Sequence, residues 1–343
     1  MPQVSVLMSN YNTPVAYLKR SIESVLAQTF DDFEIIIVND GSVDESKLVL
    51  YDYAQKDSRF IIVENEKNMG LPRSLNRGID ACHGKYIARM DTDDICYPDR
   101  LQKQVAFMDA HPEYIVSGAW SDVFCDDENS IISTWTPKMC SQDEYRIRLL
   151  FKSAPLVIHP TAIFRRELLN KYNLRYPEEL KYRFAEDYKM WTLCSACGDV
   201  GIFEDTVIKY REEKSDNRIT VRHKNEMAQC GYEIQRDQLK QLDIELTQDY
   251  YYYNHQLLMG RKPYDINYKR WMDLILKKNA KYKVYSQPVL IKLLYERWFN
   301  IVYYGIAYEK SFLKRIKYFS SLYFGQRIKF IISIITKRKP PKF

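Results

Sequence analysis

Lys85-Tyr86-Ile87-Ala88-Arg89-Met90-Asp91-Thr92-Asp93-Asp94 begins as a short apolar run and ends in three carboxylates within four positions. Carboxylates that close raise one another's pKa unless a cation sits among them. Mg²⁺ and Mn²⁺ take oxygen ligands, commonly one or two carboxylates together with the phosphates of a substrate. Open α/β sheets bind ligands beyond the carboxyl ends of their strands. A strand that delivers Asp-x-Asp at its end therefore predicts a metal-bridged diphosphate site at this cluster of carboxylates.

Upstream, Val4 to Met8 reads as a buried strand, followed by the polar loop Ser9 to Pro14. Leu18, Ile22, Val25 and Leu26 recur at helical spacing over residues 15–27. Phe33 to Val38 is a β-branched run suited to a central parallel strand; it ends at Asn39-Asp40-Gly41-Ser42, and a helix follows from about Asp44. A strand at Phe60 to Glu64, the loop Asn68 to Arg73 and a helix at Ser74 to Ala81 lead into the strand that ends at Asp91. Three β-loop-α units in the first 94 residues predict a doubly wound, mostly parallel α/β sheet. No GxGxxG follows the first strand, which argues against a dinucleotide-dependent dehydrogenase. Nucleotide binding then rests on polar loop ends, namely Tyr11, Asp40 and Arg73.

Downstream, a helix is expected from Arg100 to about His111, a strand at Ile115 to Ala119, and a hairpin over Asp122 to Ser133 around Asp126-Asp127-Glu128. Ile147 to Phe151 reads as helix, and Val157 to Phe164 as extended, with Pro160 favouring an edge or bulge. A helix at Arg165 to Tyr172 precedes another opened by Phe184-Ala185-Glu186-Asp187-Tyr188, acids first. Val207 to Tyr210 is the last expected strand, and Arg211 to Arg222 a charged loop without apolar anchors. The organisation expected is a domain over residues 1–220 and a helical extension over 221–343, in which Tyr250 to Tyr253 reads as packing.

The charge is uneven. From Lys310 onward there are ten Lys or Arg and no Asp or Glu, which against a whole-chain charge of +6 leaves the first 309 residues at −4. Nucleic acid is thereby excluded as a partner of the main body. The basic, aromatic tail (310–343) suits a helix lying on an anionic membrane surface; docking on the body or between copies is the plainer alternative. Seven scattered cysteines point to a reducing compartment, and Cys194 and Cys197 read as structural. A strand at the very start argues against a signal peptide, and no apolar run is long enough for a transmembrane helix. The expected location is cytoplasmic, peripheral to the inner face of the membrane.

Taken as an ordered set, Val4 to Met8 with Tyr11-Asn12, Ser24 to Thr29, Glu34 to Ser42, Asn76 to Ile79 and Asp91 to Asp94, closed by Glu186-Asp187-Tyr188, resembles family 2 glycosyltransferases of the bacterial surface-polysaccharide type. The resemblance covers roughly residues 2–211 and implies the GT-A fold. It implies transfer of a hexose or N-acetylhexosamine from a UDP-sugar, with inversion, to a hydroxyl of a lipid-diphosphate-linked glycan, dependent on Mn²⁺ or Mg²⁺. Tyr11 and Asp40 correspond to the loops that hold base and ribose, and Asp91 and Asp93 to the groups on ribose and metal. Asp94 is either a neighbour of the metal or a helix N-cap. Asp187 matches the catalytic aspartate that takes the acceptor proton; Glu186 is the alternative base, both being held at a helix N-terminus.

Further candidates for diphosphate or acceptor contacts are His159, Arg211, Arg218 and Trp191. Arg211 and Arg218 bracket the charged loop and could close over the diphosphate; His159 and Trp191 could equally be packed core. Arg73 and Arg89 face the nucleotide or serve as salt-bridge partners. Two rivals stand beside the transferase: a sugar-nucleotide nucleotidyltransferase and a non-catalytic nucleotide-sugar or glycan-binding scaffold. The first usually carries a Gly-rich basic loop after the first strand, and Ser9 to Pro14 has neither glycine nor cation.

Overall fold

A computed structural model describes residues 1–151, 157–212, 222–257, 264–309, 311–322 and 326. Arg218 and most of the basic tail lie outside the described residues. Strands β1 (Val4–Asn10), β2 (Phe33–Asn39), β3 (Phe60–Glu64) and β4 (Tyr86–Asp91) run parallel in the order β3-β2-β1-β4. Between them lie α1 (Val15–Leu26), α2 (Ser46–Lys56) and α3 (Leu71–Ala81). The sheet continues through β5 (Ile95–Cys96), β6 (Tyr114–Phe124), β7 (Ile131–Trp135), β8 (Ile163–Arg165) and β9 (Asp199–Arg211), in the order β4-β8-β6-β9-β5 with β7 on β6. In this half β8 is antiparallel to both neighbours, while β6 and β9 are parallel.

Every residue of β2 is buried, because both faces of the sheet are covered. On one face Val6, Met8, Ile35 and Ile37 pack with Leu18, Ile22 and Val25 of α1 and with Leu101 and Val105 of α4 (Arg100–Ala110). On the other, α3 approaches so closely that a Cβ on Gly78 would fall 2.2 Å from Leu7 Cδ1. Helices on both faces make the sheet doubly wound, which exposes only the strand ends for binding.

Two local expectations are corrected. Residues 157–164 are not extended throughout: His159–Thr161 form a 3₁₀ turn before β8. Pro160 has a preset φ and no N–H to give a ladder, Thr161 Oγ1 bonds the Ile158 carbonyl at 2.8 Å, and Arg100 Nη2 takes the Pro160 carbonyl at 2.9 Å. Asp94 caps no helix, since α4 starts at Arg100 with Asp99 in the capping position. Strands β6 and β9 are also longer than their apolar stretches indicate, running side by side with register irregularities around Trp120.

Contacts divide the chain into one unit of Met1–Gln142 with Pro155–Gly231, and another of Asp143–Ala154 with Tyr232–Phe343. The first unit holds the sheet with α6 (Arg166–Lys171) and α7 (Glu186–Cys197). The second is helical, with α5 (Gln142–Leu150) from Asp143 onward, α8 (Lys224–Lys240) from Tyr232 onward, α9 (Gln248–Leu257), α10 (Ile266–Tyr282), α11 (Gln287–Tyr308) and α12 (Phe312–Ser320). Ile147, Leu150, Trp271, Leu294 and Trp298 lie in its core, where Tyr250 stacks on Trp271 at 4.6 Å. Among the described residues no helix is long and apolar enough to cross a membrane.

Candidate active site

The loops at the carboxyl ends of β1 to β4 are knitted together by short polar side chains. Asn10 Nδ2 donates to the hydroxyls of Ser42 and Ser46 at 2.9 and 3.0 Å, and Asn12 Oδ1 accepts the Val43 N–H at 3.0 Å. Tyr11, half exposed, stands at the tip of the first loop. Asp40 is buried, and its carboxylate accepts from Asn65 Nδ2 and the Met69 and Gly70 N–H groups at 2.7, 2.7 and 2.9 Å. It thereby shapes the loop that leads into α3. Arg73, in the first turn of α3, pairs with Glu178 at 3.0 Å beside a cavity of about 370 Å³ that Asn68, Gly70 and Arg183 also line. A larger cavity, about 640 Å³, opens at the opposite ends of the strands around Gln3, His83 and Lys85, away from these loops.

A period of two places Arg89 and Asp91 on one face of β4. Arg89 donates Nη1 and Nη2 to the two Asp91 oxygens at 2.7 and 2.5 Å. The following turn is tied back to the first loop, where the hydroxyls of Thr92 and Thr13 meet at 2.8 Å, and to α1 by Ser21 Oγ on the Asp91 carbonyl at 3.2 Å. Burial first, then the Asp91 charge, lifts the Asp93 carboxyl to about 6. Asp94 is wholly buried; burial and then the charges of Asp93 and Asp91 push its carboxyl well above the usual range.

Asp94 Oδ1 accepts the backbone N–H of Arg211, the last residue of β9, at 2.8 Å. The Arg211 side chain turns back on the same loop: Nε bonds the Asp93 carbonyl and Nη1 the Cys125 carbonyl, each at 3.1 Å. Its guanidinium lies 3.9 Å over Tyr17 and 4.5 Å over Phe124. With 5% exposure, Arg211 is a brace for the acidic turn and not an arm free to close on a ligand, which corrects the lid expectation for Arg211; Arg218, its other half, lies outside the described residues.

Glu186 and Asp187 open α7. Glu186 Oε2 is buried without a hydrogen-bond partner, and burial followed by the Asp187 charge lifts its carboxyl to about 8. Asp187 Oδ1 accepts the Tyr188 N–H at 2.6 Å. His159 Nε2 lies 2.9 Å from the Tyr176 hydroxyl; burial and then the Arg89 charge hold it well below its ordinary value, so the ring is neutral at pH 7. Trp191 is core, stacked on Phe164 at 5.9 Å with His159 edge-on.

Asp91, Asp93, Glu186 and His159 thus share the field of the buried Arg89. Asp40 and Arg73 frame the adjoining loop, while Trp191 lies behind the site. Sequence reasoning missed Tyr176, which offers no local signal. Of the two roles expected for Arg89 the structure shows the salt bridge, and its partner is Asp91, two residues on in the same strand.

Residues 5–172 match the family described as glycosyl transferase family 2. An uncharacterized glycosyltransferase of Methanocaldococcus jannaschii is 36% identical over 221 residues, covering 64% of this chain and 74% of that protein. The chain belongs to glycosyl transferase family 2. An uncharacterized glycosyltransferase of Haemophilus influenzae is 28% identical over 349 residues, covering 98% of this chain and 97% of its own length. The amylovoran biosynthesis glycosyltransferase AmsE of Erwinia amylovora is 32% identical over 209 residues, covering 60% of this chain and 75% of that protein. Among solved structures, S. aureus TarS 1-349 superimposes with a TM-score of 0.54 at 17% identity, over 99% of this chain and 93% of that one. The same protein in complex with UDP-GlcNAc gives 0.53. This likeness bears out the expected GT-A fold.

In this family 2 glycosyltransferase several buried polar atoms around the acidic turn have no hydrogen-bond partner: Arg89 Nε, Asp94 Oδ2, Glu186 Oε2 and Arg211 Nη2. Such groups are costly to leave unmet. Among the described residues no three His, Cys, Asp or Glu side chains form a ready-made metal cage. The donor set is oxygen-only carboxylate at a strand end, with Asp93 raised by burial and then by a like charge. It fits a hard divalent cation completed by phosphate oxygens better than a self-sufficient protein site.

Proposed function

We propose that this family 2 glycosyltransferase moves a hexose or N-acetylhexosamine from a UDP-sugar, with inversion, to a hydroxyl of a glycan carried on a lipid diphosphate, in surface-polysaccharide synthesis. Tyr11, the loop shaped by Asp40, and Arg73 take the nucleotide side. Asp93, with Asp91, would hold Mn²⁺ or Mg²⁺, which when bound would supply positive charge against the diphosphate as it leaves. Arg89 fixes the direction of the Asp91 carboxylate, and Arg211 fixes the turn that carries Asp93.

Asp187 removes the proton from the incoming hydroxyl as its oxygen bonds to the anomeric carbon and the bond from that carbon to the diphosphate breaks. Glu186, lifted to about 8 by burial and by the Asp187 charge, holds its proton at pH 7 more readily than an ordinary carboxylate, which favours Asp187 as the base and leaves Glu186 the alternative. The observation that carries the reading is the acidic turn itself, three carboxylates at the carboxyl end of β4 with unmet polar atoms around them.

Peripheral attachment to the inner face of a membrane completes the proposal. Its support is the acid-free basic tail and α12, where Leu313 and Ile316 are exposed beside Lys314, Arg315 and Lys317. The experiment is a donor-hydrolysis panel of UDP-, GDP- and dTDP-sugars, each with Mn²⁺, Mg²⁺ or EDTA. Turnover of a UDP-sugar that EDTA abolishes is expected; turnover indifferent to EDTA, or none with any UDP-sugar, would refute the reading. Deleting residues 310–343 should release the protein from membrane fractions.

A further inference from the structure

The hairpin strand β7 exposes all five of its residues, Ile131 to Trp135, on an edge that no other described strand covers. Trp135 pairs with Ser121 of β6, and Tyr210 of β9 pairs with Val123 two residues further on. Alternation puts Ser121 and Val123 on one face of β6, and the small Ser121 leaves room for two rings to meet above it. The Trp135 and Tyr210 rings lie 4.9 Å apart, tilted by 38°. Trp135 keeps 40% of its surface open.

Two further features make this a shelf aimed at the reaction centre. Tyr210 directly precedes Arg211, whose N–H and Nε hold Asp94 and Asp93, and its neighbour Lys209 pairs with Ile95 just past the acidic turn. Tyr210 itself feels the charges of Asp91, Asp94 and Asp93, so its ring lies near the acidic turn. The strand beneath is also held fast. Thr134 Oγ1 donates to Asp122 Oδ1 at 2.6 Å, and the other Asp122 oxygen accepts the Tyr97 hydroxyl at 2.6 Å. A fixed ring loses little freedom when it binds.

We infer that the Trp135–Tyr210 shelf is the acceptor subsite, taking the flat C–H face of a pyranose so that its free hydroxyl points toward the acidic turn. This deepens the transferase reading and rests on it. A pyranose presents polarised C–H groups on one face, which settle on the electron-rich face of an indole, and ligand sites combine such apolar walls with a few polar groups. A strand edge paired with a second copy of this chain is the competing occupant.

The test uses the full chain and saturation-transfer NMR with three probes: the methyl β-pyranosides of glucose, galactose and N-acetylglucosamine, with glycerol as control. UDP-GlcNAc hydrolysis with Mn²⁺ is measured alongside. At least one pyranoside and not glycerol should bind; Trp135→Ala should weaken it by about tenfold or more, the scale of one lost aromatic contact. Trp135→Phe should retain binding, and both variants should melt within a few degrees of the wild type. Equal binding by Trp135→Ala, or no binding to the wild type, overturns the shelf. So does a Trp135 indole signal that moves with protein concentration and not with sugar, which would assign the edge to a second copy. If hydrolysis is absent throughout while the Ala and Phe variants still differ in binding, the transferase reading fails and the saccharide site stands.

Discussion

Arg89 grips both oxygens of Asp91 from a position that is almost wholly buried, while the Asp91 side chain keeps a third of its surface open. The pair is therefore lopsided. Asp91 without its partner can turn to water, whereas Arg89 without Asp91 is a buried charge that has lost its hydrogen-bonded carboxylate, Asp94 acting on it only through its field. Asp91→Ala should cost about 3–5 kcal/mol of stability, and Arg89→Met clearly less. Urea denaturation of the two variants without metal measures the difference, and equal losses would contradict the asymmetry.

The Asp93 carboxyl, lifted to about 6 by burial and by Asp91, must lose its proton before it can ligate a cation. Below pH 6 Mn²⁺ affinity should fall by about tenfold per pH unit, one proton being displaced per ion. Calorimetric titration of Mn²⁺ in the presence of UDP at several pH values measures the slope. Asp91→Asn removes the neighbouring charge and should move the break to lower pH; an unmoved break would show that Asp91 does not act on Asp93.

Glu186 has its carboxyl raised from 4.5 to about 8. Between these values the folded chain binds a proton that the unfolded chain has lost, so this group makes the metal-free protein less stable as pH rises through that window. Glu186→Gln abolishes the effect. Its stability advantage over the wild type should be small near pH 4.5, grow with pH, and level off above about 8, reaching a few kcal/mol at about 1.4 per pH unit. Urea midpoints at pH 5 and pH 8 in EDTA give the comparison; a gap that shrinks with pH has the wrong sign.

Asp187→Asn keeps the shape at the head of α7 but cannot take a proton. Turnover onto an acceptor should drop by about 10²-fold or more, with UDP binding changed less than about threefold. A scaffold without chemistry would show no turnover to lose. Full activity in Asp187→Asn would move the base elsewhere.

Gly78→Ala tests the placement of α3. A methyl group there meets Leu7 Cδ1 at 2.2 Å and Val38 Cγ2 at 3.0 Å, deep between helix and sheet. Overpacking of this kind costs about 1–3 kcal/mol. A thermal melt unchanged by the substitution would mean that helix and strand are further apart.

Much of this was legible in the residues alone. Alternation and helical spacing are local properties, so the three β-loop-α units, the strand ending at Asp91 and the helix opening at Glu186 could be placed without coordinates. The same local signal misjudged Val157 to Phe164, where Pro160 forbids a ladder and Arg100 draws the turn inward. It also gave Arg211 a lid's role, because nothing near Arg211 in the chain announces Asp94, 117 positions away.

Sequence by itself determined the order of elements and put three carboxylates beyond one strand, since both follow from which residues stand next to which. Tertiary structure alone decided what those carboxylates feel: a buried guanidinium on Asp91, a partnerless oxygen on Asp94, a proton retained by Glu186, and a tryptophan held open on an edge strand. Burial and long-range pairing set charge states and exposures, and neither has a period that can be read along the chain.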